Sequence, residues 1–188
     1  MSEFEPVSSY PRKVGTGFLC HVHLDDVLVG GRITRLADRL EHAIQVHSGG
    51  TFSIVRTGKE AFWDVRWETV MEKALSEPCP LFPVVTPAFF NSEFCCREVL
   101  AFSAIKSKLR GLGLIFPIYF VGADLMESEV ARARAPAKVR AVAKLLSTQY
   151  EDWRELRLGN EATLAYAEAI DRFAQRIAKA LLRSMQPD

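Results

Sequence analysis

The sequence predicts an α/β domain of the doubly wound type, a parallel five-stranded sheet with helices on both faces. Three observations predict it: short apolar runs alternate with segments of helical period, glycine and proline punctuate the junctions, and 188 residues suit one three-layer domain rather than two. The expected division is a flexible N-terminal segment over residues 1–15 and one domain over 16–185.

The first strand is expected at Gly17 to Val22, followed by the acidic turn His23-Leu24-Asp25-Asp26. Gly30-Gly31 leads into a helix whose Ile33, Leu36, Leu40 and Ile44 share a face, and Gly49-Gly50 stops it before a second strand, Phe52 to Val55. A loop from Arg56 to Asp64 precedes a helix with Trp67, Val70, Met71, Ala74 and Leu75 on one stripe, closed by Pro78 and Pro80. Leu81 to Val85 reads as the central strand, although Pro83 costs it a ladder donor.

Thr86-Pro87 supplies a cap and a first-turn proline, and the apolar pattern then runs through Phe94, Val99, Phe102 and Ile105. A fourth strand is expected at Leu114 to Val121, interrupted by Pro117. A short helix over Lys138 to Leu146, a fifth strand around Thr148 to Glu151, and a final helix with Tyr166, Ile170, Phe173, Ile177 and Leu181 inward complete the alternation. Parallel sheets of this kind bind ligands beyond the carboxyl ends of their strands, so the loops after strands one to four are the candidate site.

Composition narrows the function. Lysine plus arginine (24) nearly balances aspartate plus glutamate (23), which gives no field drawing the whole surface to nucleic acid or an anionic membrane. Met1 through Lys13 has no apolar core, so it reads as neither a signal peptide nor a membrane span, and the cytoplasm is the expected location. Cys20, Cys79, Cys95 and Cys96 form no C-x-x-C pair and read as reduced packing thiols; no metal site and no bound cofactor are expected.

Glu98 is the informative carboxylate, because Phe94 and Phe102 lie four residues to either side and set it on the apolar stripe. An acid there is either held in a buried ion pair or kept partly desolvated, a state suited to stabilising a developing cation or moving a proton. Asp25 and Asp26 invite a phosphoacceptor receiver reading, which fails because the third strand ends Val84-Val85-Thr86-Pro87 with no carboxylate to phosphorylate. His21 and His23 would share a strand face without a third ligand. Gly30-Gly31 lacks phosphate-loop spacing. Trp63 before the second helix staples or lines the site, and Tyr119 in the fourth strand packs or presents its ring at the ligand edge.

The segment Thr86-Pro87-Ala88-Phe89-Phe90-Asn91-Ser92-Glu93-Phe94-Cys95-Cys96-Arg97-Glu98 resembles the T-P-x-F-x-x-S-x-x-C-x-x-E motif of bacterial TIR (Toll/interleukin-1 receptor) domains of the NAD-cleaving type. Supporting stretches are Gly30 to Leu36, Phe62-Trp63 with Trp67 and Ala74-Leu75, Leu114 to Tyr119, and Gln149 to Leu156. The resemblance runs from Phe18 to about Leu181 and implies a flavodoxin-like sheet.

It further implies an NAD+ glycohydrolase in which Glu98 is the catalytic glutamate at the nicotinamide ribose, with NAD+ as substrate rather than cofactor. The residues implied to bind it are Cys20, His21, Val22 and His23 after the first strand, with Trp63, Phe94 and Tyr119 as aromatic flanks. The products would be nicotinamide and either ADP-ribose or a cyclic isomer. The resemblance also implies self-assembly with other TIR protomers, a separate or fused sensor domain, and a role in anti-phage defence. A module that only binds other TIR domains is the alternative. The chain departs from the family where Cys20-His21-Val22 replaces a frequent Ser-Tyr-Ser, and where Thr57 and Asp64 replace a frequent aspartate and glycine.

Overall fold

A computed structural model describes residues 12–57, 78–106 and 113–185. Its sheet is parallel throughout, in the order β2-β1-β3, then β4 and β5 end to end, then β6. The strands are β1 (Lys13–Cys20), β2 (Thr51–Thr57), β3 (Cys79–Val85), β4 (Gly113–Ile115), β5 (Ile118–Tyr119) and β6 (Glu151–Asp152). Counting β4 and β5 as one interrupted strand gives the five positions of a doubly wound sheet. The helices are α1 (His23–Leu28), α2 (Arg32–Ser48), α3 (Pro87–Asn91), α4 (Glu93–Lys106), α5 (Asp124–Glu127), α6 (Glu129–Arg134), α7 (Ala137–Ser147) and α8 (Leu164–Ser184). Among the described residues no helix is long and apolar enough to cross a membrane.

Period-two alternation sorts the strand residues between two cores. Leu19 of β1, Phe82 and Val84 of β3, and Ile118 of β5 face α2 and α8, whose Leu36, Leu40, Ile44, Phe173 and Ile177 complete that layer. Phe18 and Cys20, Leu81 and Val85, and Tyr119 face the other way, against Phe89 of α3, Cys95, Val99 and Phe102 of α4, and Val142 and Leu146 of α7. Gly17 has no room for a side chain: a Cβ there would stand 2.6 Å from the Phe82 ring and 2.9 Å from that of Phe52.

Several sequence expectations shift. The first strand begins at Lys13 and ends at Cys20, so residues 13–15 belong to the sheet and His21 and Val22 follow it. The acidic turn is a helix, α1, and the polar stretch before α7 holds α5 and α6. The fifth strand is reduced to Glu151 and Asp152. The helix expected through Trp67 and Leu75 lies outside the described residues.

The Pro83 conflict resolves through strand four. The Leu81 and Val85 carbonyls accept from Phe116 N and Phe120 N, so alternate residues of β3, Pro83 included, turn their backbone groups toward that strand. Pairing there stops at Leu81 with Ile115 and resumes at Val84 with Ile118. The missing donor of Pro83 therefore falls opposite the Phe116-Pro117 break, where the strand pairing is interrupted.

The helix expected as one run from Thr86 is two. Thr86 caps α3, its Oγ1 accepting from Phe89 N at 3.1 Å, with Pro87 in the first turn. Ser92 then adopts extended angles (φ −82°, ψ 109°) and its Oγ accepts from Cys95 N at 3.2 Å, which starts α4 afresh. This restart sets the rotation at which Glu98 enters the sheet layer.

Candidate active site

Glu98, in the second turn of α4, is 1% exposed, on the helix whose Cys95, Val99 and Phe102 pack into the α3–α4–α7 layer. Cys20, the last residue of β1, is fully buried in the same layer as Cys95, and Cys95 and Glu98 are the neighbours that act on its thiol. Burial pushes that thiol well above its ordinary range, and Cys95 and Glu98 push it further, so Cys20 is a neutral S–H. All four cysteines are free and buried. Cys96 turns away from this group, its Sγ pointing at the Phe89 and Phe90 carbonyls.

Cys20 and Glu98 are thus brought together, whereas the rest of the segment after β1 is spread out. His21 is 5% exposed; desolvation lowers its pKa, partly countered by Asp26, and its Nδ1 has no hydrogen-bond partner among the described residues. Val22 is half-buried against the Glu98 layer. His23 opens α1 and is exposed, so the two histidines do not share a strand face.

The two aspartates of α1 hold the edge of the site together. Gly31 at the N-cap of α2 has no side chain to offer, and Asp26 caps in its place: Oδ1 accepts from Ile33 N (2.8 Å) and Thr34 N (3.1 Å), and Oδ2 from Thr34 Oγ1 (2.5 Å). Asp25 Oδ2 accepts from Thr86 Oγ1 at 2.6 Å, tying α1 to the start of α3. Both carboxylates are engaged in the fold, which removes the acidic corner that a receiver would need.

Of the aromatic candidates, Phe94 in the first turn of α4 is half-buried against the same layer as Glu98. Tyr119 is 1% exposed. Its hydroxyl donates to Glu127 Oε1 (2.5 Å) and accepts from Ala123 N (2.9 Å). Arg154 lies 4.5 Å above its ring, Tyr150 packs edge-on at 5.2 Å, and Arg154 also pairs with Glu127 (2.9 Å) and Asp152 (2.7 Å). The ring is thus enclosed rather than presented. Sequence reasoning missed this clasp, because its members come from three separate segments; the one local signal was the close spacing of Tyr150, Asp152 and Arg154. Trp63 lies outside the described residues.

No protein-family model matches the sequence, and no curated protein matches it significantly. Among solved structures the chain is similar to the TIR domains in the structure of the activated Roq1 resistosome directly recognizing the pathogen effector XopQ. The identity is 14%, the TM-score 0.53, and the match covers 87% of this chain and 99% of that one. At that identity the similarity is one of fold: a parallel sheet flanked by helices, as in a TIR domain.

Proposed function

We propose that this chain is an NAD+ glycohydrolase. The observation that carries the reading is the placement of Glu98: a carboxylate buried at the carboxyl end of a doubly wound sheet, on the helix entered through the Thr86-Pro87 cap, beside the last residue of β1. Loss of nicotinamide leaves oxocarbenium character on the ribose. A carboxylate in a low-dielectric layer stabilises that charge and accepts hydrogen bonds from ribose hydroxyls. Water, or a nucleophile within the departing ADP-ribosyl group, then closes the reaction to the linear or the cyclic product. Phe94, at the half-buried start of the same helix, is the ring positioned to flank nicotinamide.

The reading extends to self-assembly with other copies of the chain, to control by a sensor domain, and to defence against phage in the bacterial cytoplasm. A purely scaffolding TIR module is the second reading, favoured by the near-complete burial of Glu98 and the enclosed ring of Tyr119. Concentrated or crowded protein incubated with NAD+ separates the two. Nicotinamide release that rises faster than linearly with protein concentration, and falls at least about a hundredfold in Glu98→Ala, supports the enzyme. No turnover in any assembled form, or an equally active variant, supports the scaffold.

A further inference from the structure

We propose that Arg154 is a positioning residue for the loop after β5, holding residues 120–127 as one wall of the NAD+ crevice and so setting the affinity for substrate. The role rests on the NAD+ glycohydrolase reading. Within that loop α5 is a single turn, Asp124 to Glu127, and its N-cap residue, Ala123, makes no side-chain capping bond. An isolated turn fixes more backbone angles than its hydrogen bonds offset, so α5 depends on outside support.

The Tyr119 hydroxyl supplies it by gripping both ends of the turn, accepting from Ala123 N at 2.9 Å and donating to Glu127 Oε1 at 2.5 Å. Glu127 Oε1 also accepts from Arg154 Nη1 at 2.9 Å. Asp152 holds the guanidinium from its other edge, Oδ1 accepting from Nε at 3.0 Å and Oδ2 from Nη2 at 2.7 Å. This unbroken chain of bonds from Asp152 to Ala123 N ties the loops after β5 and β6 together.

The loop starts where a doubly wound sheet takes its ligand. Tyr119 pairs with Val85, the last residue of β3, and the Val85 carbonyl accepts from Phe120 N (3.0 Å) and Val121 N (3.1 Å). The next residue, Thr86, caps α3, which leads into the helix of Glu98. Ala123 and Met126 anchor the loop in the layer of Cys95 and Val99, while Gly122 and Asp124 stay exposed.

Exposure argues against global stability as the purpose of the clasp. The side chains of Arg154, Asp152 and Glu127 are 39%, 48% and 51% exposed, and ion pairs so placed add little to the stability of the whole chain. Loosening them alters the loop and leaves both cores intact. No bond of the clasp involves Glu98, so the effect falls on substrate binding rather than on the chemical step.

Hydrogen exchange and kinetics on the full chain test the role. In Arg154→Ala the amides of residues 123–127 are expected to exchange at least about tenfold faster, with the thermal midpoint within about 2 °C of the unaltered chain. Tyr119→Phe, which keeps the ring and removes both hydroxyl bonds, is expected to give the same local pattern. Unchanged exchange in Arg154→Ala, or faster exchange spread through the whole chain, overturns the inference.

In steady-state kinetics Arg154→Ala is expected to raise KM about three- to tenfold with kcat held. Arg154→Lys, which keeps the charge and loses the paired bonds to Asp152, is expected to recover part of the loss. A lowered kcat with KM held, or an unchanged KM alongside faster exchange, overturns the positioning role. If the unaltered chain shows no turnover, the enzymatic reading falls alone: slower exchange over residues 120–127 on adding NAD+ then supports the wall, and exchange indifferent to NAD+ overturns it.

Discussion

The two faces of the sheet are built from different chemistry. The layer between the sheet and α2 and α8 is aliphatic and aromatic throughout, centred on Leu40, Ile44, Trp153, Phe173 and Ile177. The opposite layer, under α3, α4 and α7, contains all four cysteines, and α4, which packs into it, carries the buried Glu98. Of the buried polar side chains among the described residues, His21, Asp26, Thr86 and Glu98 cluster at the carboxyl ends of β1 and β3 or on the elements that follow them. Only Thr16 lies within a strand. The difference separates two duties: one face supplies stability, and the other accepts the cost of buried polar atoms where a ligand would meet the sheet.

The largest effect that would break this contrast comes from the apolar face. Trp153 is fully buried, edge-on to Tyr166 at 5.5 Å. Trp153→Ala is expected to cost about 3–5 kcal/mol in urea unfolding. A loss below about 1 kcal/mol would show that this layer does not dominate stability.

His21 gives a smaller effect, dependent on pH. Its folded pKa lies below the ordinary 6.5 because of desolvation, so the unfolded chain binds the proton first. Stability is therefore fully present above about pH 6.5 and declines as pH falls through the ordinary value toward the folded one. Asp25, Asp26 and His23 are the charged neighbours that modulate it. His21→Phe is expected to flatten that decline in denaturation midpoints measured at successive pH values; parallel curves would remove His21 from the account.

The smallest effect lies on the rim of the apolar face, where Glu161 pairs with Arg35 at 2.9 Å. The Arg35 hydrogen bond holds the Glu161 carboxyl below its usual range, so its contribution is present at neutral pH and lost as pH falls through that lowered value. Glu161→Gln is expected to leave the neutral thermal midpoint near that of the unaltered chain and to soften the acid limb slightly. An unchanged acid limb would make the pair energetically silent.

Periodicity explains how much was legible beforehand. The stripes of α2 and α8 and the apolar strands were readable because burial repeats at 3.6 or 2 residues along the chain itself. The Thr86 cap was readable because it spans only three positions. The α3–α4 break escaped notice although Ser92 and Glu93 make a good helix start, since the apolar pattern runs on across it. Pro83 could not be reconciled from sequence because its answer lies at Pro117 on the neighbouring strand. Asp26 as a cap for α2, and the meeting of Cys20 with Glu98, are products of folding; spacing showed that Glu98 sits among apolar neighbours and left its partner open.

The restart of α4 at Ser92 makes the helix act as a protractor. Each residue advances the backbone by about 100° and 1.5 Å, so one added residue between Ser92 and Glu98 would swing the carboxylate through more than a quarter turn, off the sheet and toward solvent. The count of six from cap to carboxylate is therefore a rigid angular dimension. The length of this stretch is thereby tied to the direction of the carboxylate, a constraint that exposed surface loops do not carry.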